Sequence, residues 1–300
     1  MDLRQLLSAT DFKILKQLEN INEVPQGVLQ INAPKIWSDT SEGEGRTIAI
    51  IDSGCQIDHP DISPNIVDYY NFSDEDSYNV TDYTGHGTHI AGIIAATRNS
   101  QGVVGVAPKA KLLILKVTNQ HGQTSYNNLI QAIKFSIDWR GEKGEKVDVI
   151  NLSLGGRFDN KDLHSIIEKA FKSGIIIVTA SGNQGDGNIE TVEEMFPGVY
   201  KQTIQVGSVD SNSNLSFFTN TNSELEFLAP GENILSTFPG NGYAYLTGTS
   251  MAAPHLSGSV ALLLNLLKDE KGISKVEAIK KLLLSNSYQY SSLLRILKFN

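Results

Sequence analysis

Three residues of this chain could together drive nucleophilic attack on a carbonyl: Asp52, His86 and Ser250. A serine hydroxyl is a weak nucleophile at neutral pH and needs a base to take its proton. A histidine can take it and return it to a leaving amine, while a carboxylate holds the ring in the useful tautomer. Ser250 stands in Leu246-Thr247-Gly248-Thr249-Ser250-Met251-Ala252-Ala253-Pro254-His255. There Gly248 permits a sharp entry, Ala252 and Ala253 keep bulk from the hydroxyl, and Pro254 suggests a first helical turn. His86 has small neighbours in Gly85-His86-Gly87-Thr88-His89, and Asp52 ends the β-branched run Thr47-Ile48-Ala49-Ile50-Ile51. Taken singly, Asp52 and His86 could equally be satisfied core residues.

Several elements must position these groups. Thr47–Ile51 reads as a strand buried on both faces, which puts Asp52 at the carboxyl end where open α/β sheets place their chemistry. The apolar run after Pro254 reads as a helix inside the core. Strands are expected over Lys111–Val117, Val147–Leu152, Gly174–Val178 and Thr203–Gly207, and helices over Tyr126–Trp139 and Asp162–Lys172, with a short helix over Asn32–Trp37. Strands separated by helical stretches predict an α/β fold of three layers, a mostly parallel sheet with helices on both faces. The domain spans 22–300. Residues 1–21 form an extension whose apolar positions, Leu3, Leu6, Leu7, Phe12, Ile14, Leu15 and Leu18, are loosely helical. It reads as a packed amphipathic surface helix or as a regulatory segment covering the site.

Composition excludes some partners. The chain has 300 residues, 40% hydrophobic and 19% charged, enough for a sizeable core. A formal charge of −8 argues against nucleic acid and anionic membranes, both of which need clustered Lys and Arg. No apolar run approaches the roughly 20 residues of a membrane span, and the N-terminus lacks a secretion-signal pattern. The single cysteine, Cys55, excludes an internal disulfide and suits a reducing compartment, so a cytoplasmic location is expected. Its default role is packing. Oligomeric state is not legible.

Ile51-Asp52-Ser53-Gly54, Gly85-His86-Gly87-Thr88-His89 and Gly248-Thr249-Ser250-Met251-Ala252-Ala253-Pro254, in that order, resemble the subtilisin-like serine peptidases, from about Asn22 to about Leu267. The resemblance implies a subtilisin-like fold and a serine endopeptidase with Asp52, His86 and Ser250 as triad. Asn183 and the Ser250 backbone N–H would be oxyanion donors, and a peptide or protein the substrate. It implies a substrate edge strand at Ser153, Leu154 and Gly155, paired by β-augmentation, and a P1 wall at Ala180, Ser181 and Gly182. Tyr126, Leu129 and Leu154 would form an apolar P4 subsite, or else ordinary packing. Met195 stands where many members carry a small residue, and would favour small or flexible P1 side chains. Neutral Gln184 at the rim gives no reason to expect a basic P1.

The same resemblance implies a Ca2+ site with side-chain oxygens from Asn22, Asp61 and Asn99 and carbonyls from Thr97, Gln101 and Val103. The acidic stretch Asp186–Glu194 reads as a solvated loop. The intracellular branch is favoured, although the extension lacks the Leu-Ile-Pro-Tyr element that blocks the cleft in its housekeeping members. A protease without such a shield needs narrow specificity, which favours a dedicated processing peptidase resembling lantibiotic leader peptidases. General cytoplasmic turnover is the alternative, and a catalytically silent peptide-binding protein a remote one.

Overall fold

A computed structural model describes residues 24–73, 76–267, 274–292 and 294–299, and the backbone of 7–9, 17–18 and 22–23. In chain order, β1 (Leu7–Ala9), β2 (Gln17–Leu18) and β3 (Asn22–Glu23) precede α1 (Gln26–Gln30), β4 (Thr47–Asp52) and β5 (Ile66–Asn71). Then come α2 (His86–Ala95), β6 (Gly102–Val103), β7 (Lys111–Lys116), β8 (Gln123–Thr124), α3 (Tyr126–Asp138), β9 (Val149–Leu152) and β10 (Leu154–Gly155). The remainder is α4 (Lys161–Lys172), β11 (Ile176–Ala180), β12 (Thr203–Val209), β13 (Leu225–Pro230), β14 (Ile234–Phe238), β15 (Gly242–Leu246), α5 (Thr249–Leu264), α6 (Lys275–Ser285), β16 (Ser287–Gln289) and β17 (Arg295–Leu297).

The principal sheet among the described residues runs β16-β17-β13-β12-β11-β9-β4-β7-β5, parallel except for the β16–β17 hairpin. Alternation along its strands sorts side chains into two cores. Ile48, Ile50, Leu112, Ile114, Ile176 and Val178 face α2 and α5; Ile51, Leu113, Leu115 and Ile177 face α3 and α4. This is the expected three-layer arrangement. It brings the carboxyl ends of β4, β9 and β11 to one edge, with the first turns of α2 and α5 beside them.

α5 is buried at every position from Thr249 to Leu264, which explains the absence of a polar face in its sequence. Pro254 departs from expectation: it lies inside α5, beyond the first turn. A proline there donates no hydrogen bond to the carbonyl four residues earlier, that of Ser250. The Ser153 hydroxyl donates to that carbonyl instead, at 3.0 Å.

The helical reading of the extension is corrected where it can be checked. Leu7–Ala9 and Gln17–Leu18 are strands, paired with β8 and β10 and with β15 respectively. The other positions of that expectation lie outside the described residues. Partner strands supply the backbone hydrogen bonds that an isolated short helix must make alone, so tertiary pairing overrides weak local periodicity. Asn32–Trp37 is likewise not an α-helix; a 3-10 turn covers Ala33–Ile36.

Candidate active site

Asp52 and His86 meet first. The Asp52 Oδ1 oxygen lies 2.7 Å from His86 Nδ1 and accepts the Ser53 N–H at 2.7 Å. Both side chains are wholly buried. The approach of α2 to the Asp52 turn depends on Gly87, since a Cβ there would collide with the Gly54 carbonyl oxygen. Burial disfavours a charged His86 ring, but the Asp52 charge, its hydrogen bond and the field of Asp82 outweigh that cost and raise His86 above its ordinary value.

Ser250 enters from α5. Its hydroxyl donates to the Ser153 carbonyl at 3.2 Å, so the two serines hold one another reciprocally. Asn183, beyond β11, accepts at Oδ1 from the N–H and the hydroxyl of Thr249, both at 2.9 Å. Those bonds fix the amide so that Nδ2 lies on its other side. Gly182 N–H donates to Thr249 Oγ1 at 3.1 Å, which ties the β11 loop to the start of α5.

The cleft strands lie alongside. β10 and β8 flank β1, which pairs antiparallel with both: Ser8 opposite Gly155 and Gln123, Ala9 opposite Leu154, Leu7 opposite Thr124. A segment of the chain thus adds a strand between β8 and β10. Met195 is nearly buried, and a Cβ added at Gly155 would lie 2.9 Å from its terminal methyl, so Met195 packs directly against the edge strand. Leu129 and Leu154 are fully buried and Tyr126 almost so, its hydroxyl bonded to the Phe158 carbonyl. Ala180 and Ser181 are buried beside them. Gln184 N–H donates to Asn220 Oδ1 at 2.6 Å, which holds the rim.

Farther away, Asp61, Asn99, Val103 and Thr97 come together. Asp61 Oδ1 accepts from Asn99 Nδ2 at 3.0 Å, Oδ2 from Val103 N–H at 2.9 Å and from the Tyr243 hydroxyl at 3.0 Å, and the Asp61 carbonyl accepts from Thr97 N–H at 2.7 Å. Gln101 N–H bonds Asn99 Oδ1. The Asn22 backbone pairs with Gly102 nearby, and its side chain lies outside the described residues. No cluster of three or more His, Cys, Asp or Glu that could hold a metal occurs among the described residues. Cys55 is buried and its thiol is pushed well up, by burial first and then by Asp82. In the acidic stretch, Asp186 accepts from Asn188 N–H and the Thr191 hydroxyl, and Glu193 from Thr221 N–H, as in a self-capped loop.

Sequence reasoning missed two residues under the site. Asp82 Oδ1 accepts from the Ser53 hydroxyl, Thr84 and the Gly85 N–H, and Oδ2 from the N–H and hydroxyl of Thr88. It thereby ties the Asp52 turn to the first turn of α2. Lys116, 1% exposed, donates from Nζ to the carbonyls of Ser53 and Thr81 at 2.7 and 2.6 Å. A lysine inside an apolar strand, and an acid four residues before His86, were the available signals.

A profile described as "Subtilase family" matches residues 43–297. The chain is 46% identical over 255 residues to "Intracellular serine protease" of Paenibacillus polymyxa, covering 84% of this chain and 76% of that protein. It is 43% identical over 252 residues to "Major intracellular serine protease" of Bacillus subtilis (strain 168), covering 83% and 77%. Against "Subtilisin E" of the same organism it is 40% identical over 248 residues, covering 82% and 62%. No helix among the described residues is long and apolar enough to cross a membrane.

Proposed function

Since the chain belongs to the subtilase family and is a serine endopeptidase, we propose that Asp52, His86 and Ser250 are its triad and Asn183 its side-chain oxyanion donor. The Asp52–His86 contact at 2.7 Å carries this reading. On substrate binding the Ser250 hydroxyl turns from the Ser153 carbonyl toward His86, which takes its proton as Oγ attacks the scissile carbonyl. Asp52 orients the ring and stabilises the imidazolium. Asn183 Nδ2 and the Ser250 backbone N–H stabilise the oxyanion, and His86 passes the proton to the leaving amine. Water then repeats the sequence on the acyl-enzyme.

The extended strand of the substrate lies where β1 lies, between β8 and β10, with P1 entering beside Ala180, Ser181, Gly182 and Met195. Leu7–Ala9 are therefore a built-in occupant of that position, which must leave before a protein substrate can enter. A covered cleft removes the need for narrow specificity that favoured a leader peptidase. Together with relatives named intracellular serine proteases, it supports a protease of the cell interior for general protein turnover.

Two features of the loop at Asp61 suit calcium: a buried carboxylate, and a buried Thr97 hydroxyl without a hydrogen-bond partner among the described residues. Asp61, Asn99 and Asn22 with the carbonyls of Thr97, Gln101 and Val103 would hold it. The ion would supply stability to this loop and no step of the reaction.

Casein digestion by the full chain and by residues 22–300 tests the reading. Degradation that is slow for the first and fast for the second is expected, with both lost in Ser250→Ala. Inertness of the shortened chain toward casein, with cleavage of one leader peptide, would overturn general turnover in favour of dedicated processing.

A further inference from the structure

The buried amide of Gln205 has no hydrogen bond at either Nε2 or Oε1 among the described residues, although the residue is only 1% exposed. A buried amide left so is costly, and native structures keep few of them. It is not alone. Thr179 lies opposite Gln205 in the parallel register of β11 and β12, and its hydroxyl is also buried and without a partner among the described residues. Alternation places both on the α3–α4 face, opposite Val178 and Val206.

The position of that amide is fixed by Gly198. A Cβ built there would lie 2.5 Å from Gln205 Nε2, 3.0 Å from the Met195 carbonyl and 3.3 Å from the Ala180 carbonyl. Met195 packs on Gly155 of the edge strand, and Ala180 ends β11. The amide therefore lies close to the backbone of Met195 and Ala180, two residues expected to border the P1 slot. Gly198 leaves room for it.

We infer that Gln205 is a specificity residue of the P1 slot, and that it selects an unbranched side chain ending in a group that both donates and accepts, glutamine above all. An unbranched chain can slide past the flexible Met195 thioether; an amide tip can then meet the Gln205 amide and the Thr179 hydroxyl. A site with hydrogen-bonding groups to satisfy discriminates strongly against a ligand that cannot do so, because those groups stay unpaired when the wrong ligand enters. Methionine has nearly the shape of glutamine without its polar tip, so comparing the two isolates the effect. The inference rests on the protease reading.

Four-residue anilide substrates differing only in P1 (Gln, Met, Glu) test it on the full chain and on residues 22–300, with active sites counted by fluorophosphonate labelling. Glutamine should exceed methionine in kcat/KM by roughly tenfold or more, and Gln205→Leu should reverse that order. Gly198→Ala, whose new methyl displaces the amide, should shrink the same ratio even if Gln205→Leu fails to fold. Hydrolysis with equal rates for Gln and Met, or a ratio unmoved by both variants, overturns the inference while leaving the protease reading intact. Absence of both labelling and hydrolysis in residues 22–300 as well as in the full chain overturns the two together.

Discussion

Ser153 and Ser250 hold one another reciprocally: the Ser250 hydroxyl donates to the Ser153 carbonyl at 3.2 Å, and the Ser153 hydroxyl to the Ser250 carbonyl at 3.0 Å. The second bond exists because Pro254 has no N–H to give that carbonyl. Ser153→Ala should leave it without this donor, at a cost of about 1–3 kcal/mol. Thermal unfolding should show the loss. Measured kcat should fall with it, because the nucleophile is then less well placed. An unchanged melting temperature and kcat would mean the carbonyl finds another donor.

Asp82 bonds both the Asp52 turn and the start of α2, and its charge helps raise His86. His86 acts as a base only when neutral. The acid limb of kcat/KM should therefore lie above the ordinary histidine value of 6.5. Asp82→Asn removes a negative charge that favours the imidazolium, so the limb should move to lower pH while kcat falls. A pH profile superposable on the parent's would count against this role.

Asn183 is fixed by two bonds from Thr249. Asn183→Ala should lower kcat by roughly 10²–10³ with KM little changed, the size known for the oxyanion asparagine of subtilisin rather than one obtained from this geometry. Steady-state kinetics on one peptide checks it, and a loss confined to KM would contradict it.

Gly87 lets α2 approach the Asp52 turn, with the Gly54 carbonyl where a Cβ would be. Gly87→Ala should force the helix back, at about 1–3 kcal/mol of stability. It should also lengthen the Asp52–His86 contact, so activity should drop more than a surface Gly→Ala change allows. Retained activity would show that the turn can yield.

Calcium bound at the Asp61 loop stabilises the folded state only, by about 2.7 kcal/mol at a hundredfold excess over Kd. A chelator should lower the melting temperature, and Asp61→Asn should abolish that response. No response in the parent chain would mean the loop is held by its own bonds, among them Asn99–Asp61 at 3.0 Å.

Much of the site was legible in the residues themselves. Asp52 follows a largely β-branched run that reads as a buried strand, and glycines beside His86 and Ser250 mark places where the backbone must turn or approach closely. These constraints are local, so they are written where they act. The parallel sheet could be read for the same reason, since continuous apolar runs of strand length alternate with helical stretches along the chain.

Other features needed the tertiary structure because they join groups far apart in sequence. Asp82 and Lys116 look like an ordinary loop acid and a strand lysine until folding brings both to Ser53. Gln205 looks like a strand-surface amide until the turn through Gly198 buries it. The first residues suggested a weak helix, and only the cleft, whose edges at Gln123–Thr124 and Leu154–Gly155 offer unpaired backbone groups, made Leu7–Ala9 a strand. The sequence by itself determined the chemistry and the layered fold, because both follow from side-chain type and local spacing. Tertiary structure alone decided that Leu7–Ala9 pair between β8 and β10 and that Gln205 is buried, because such pairing and burial depend on neighbours on other elements, for Leu7–Ala9 more than a hundred residues away.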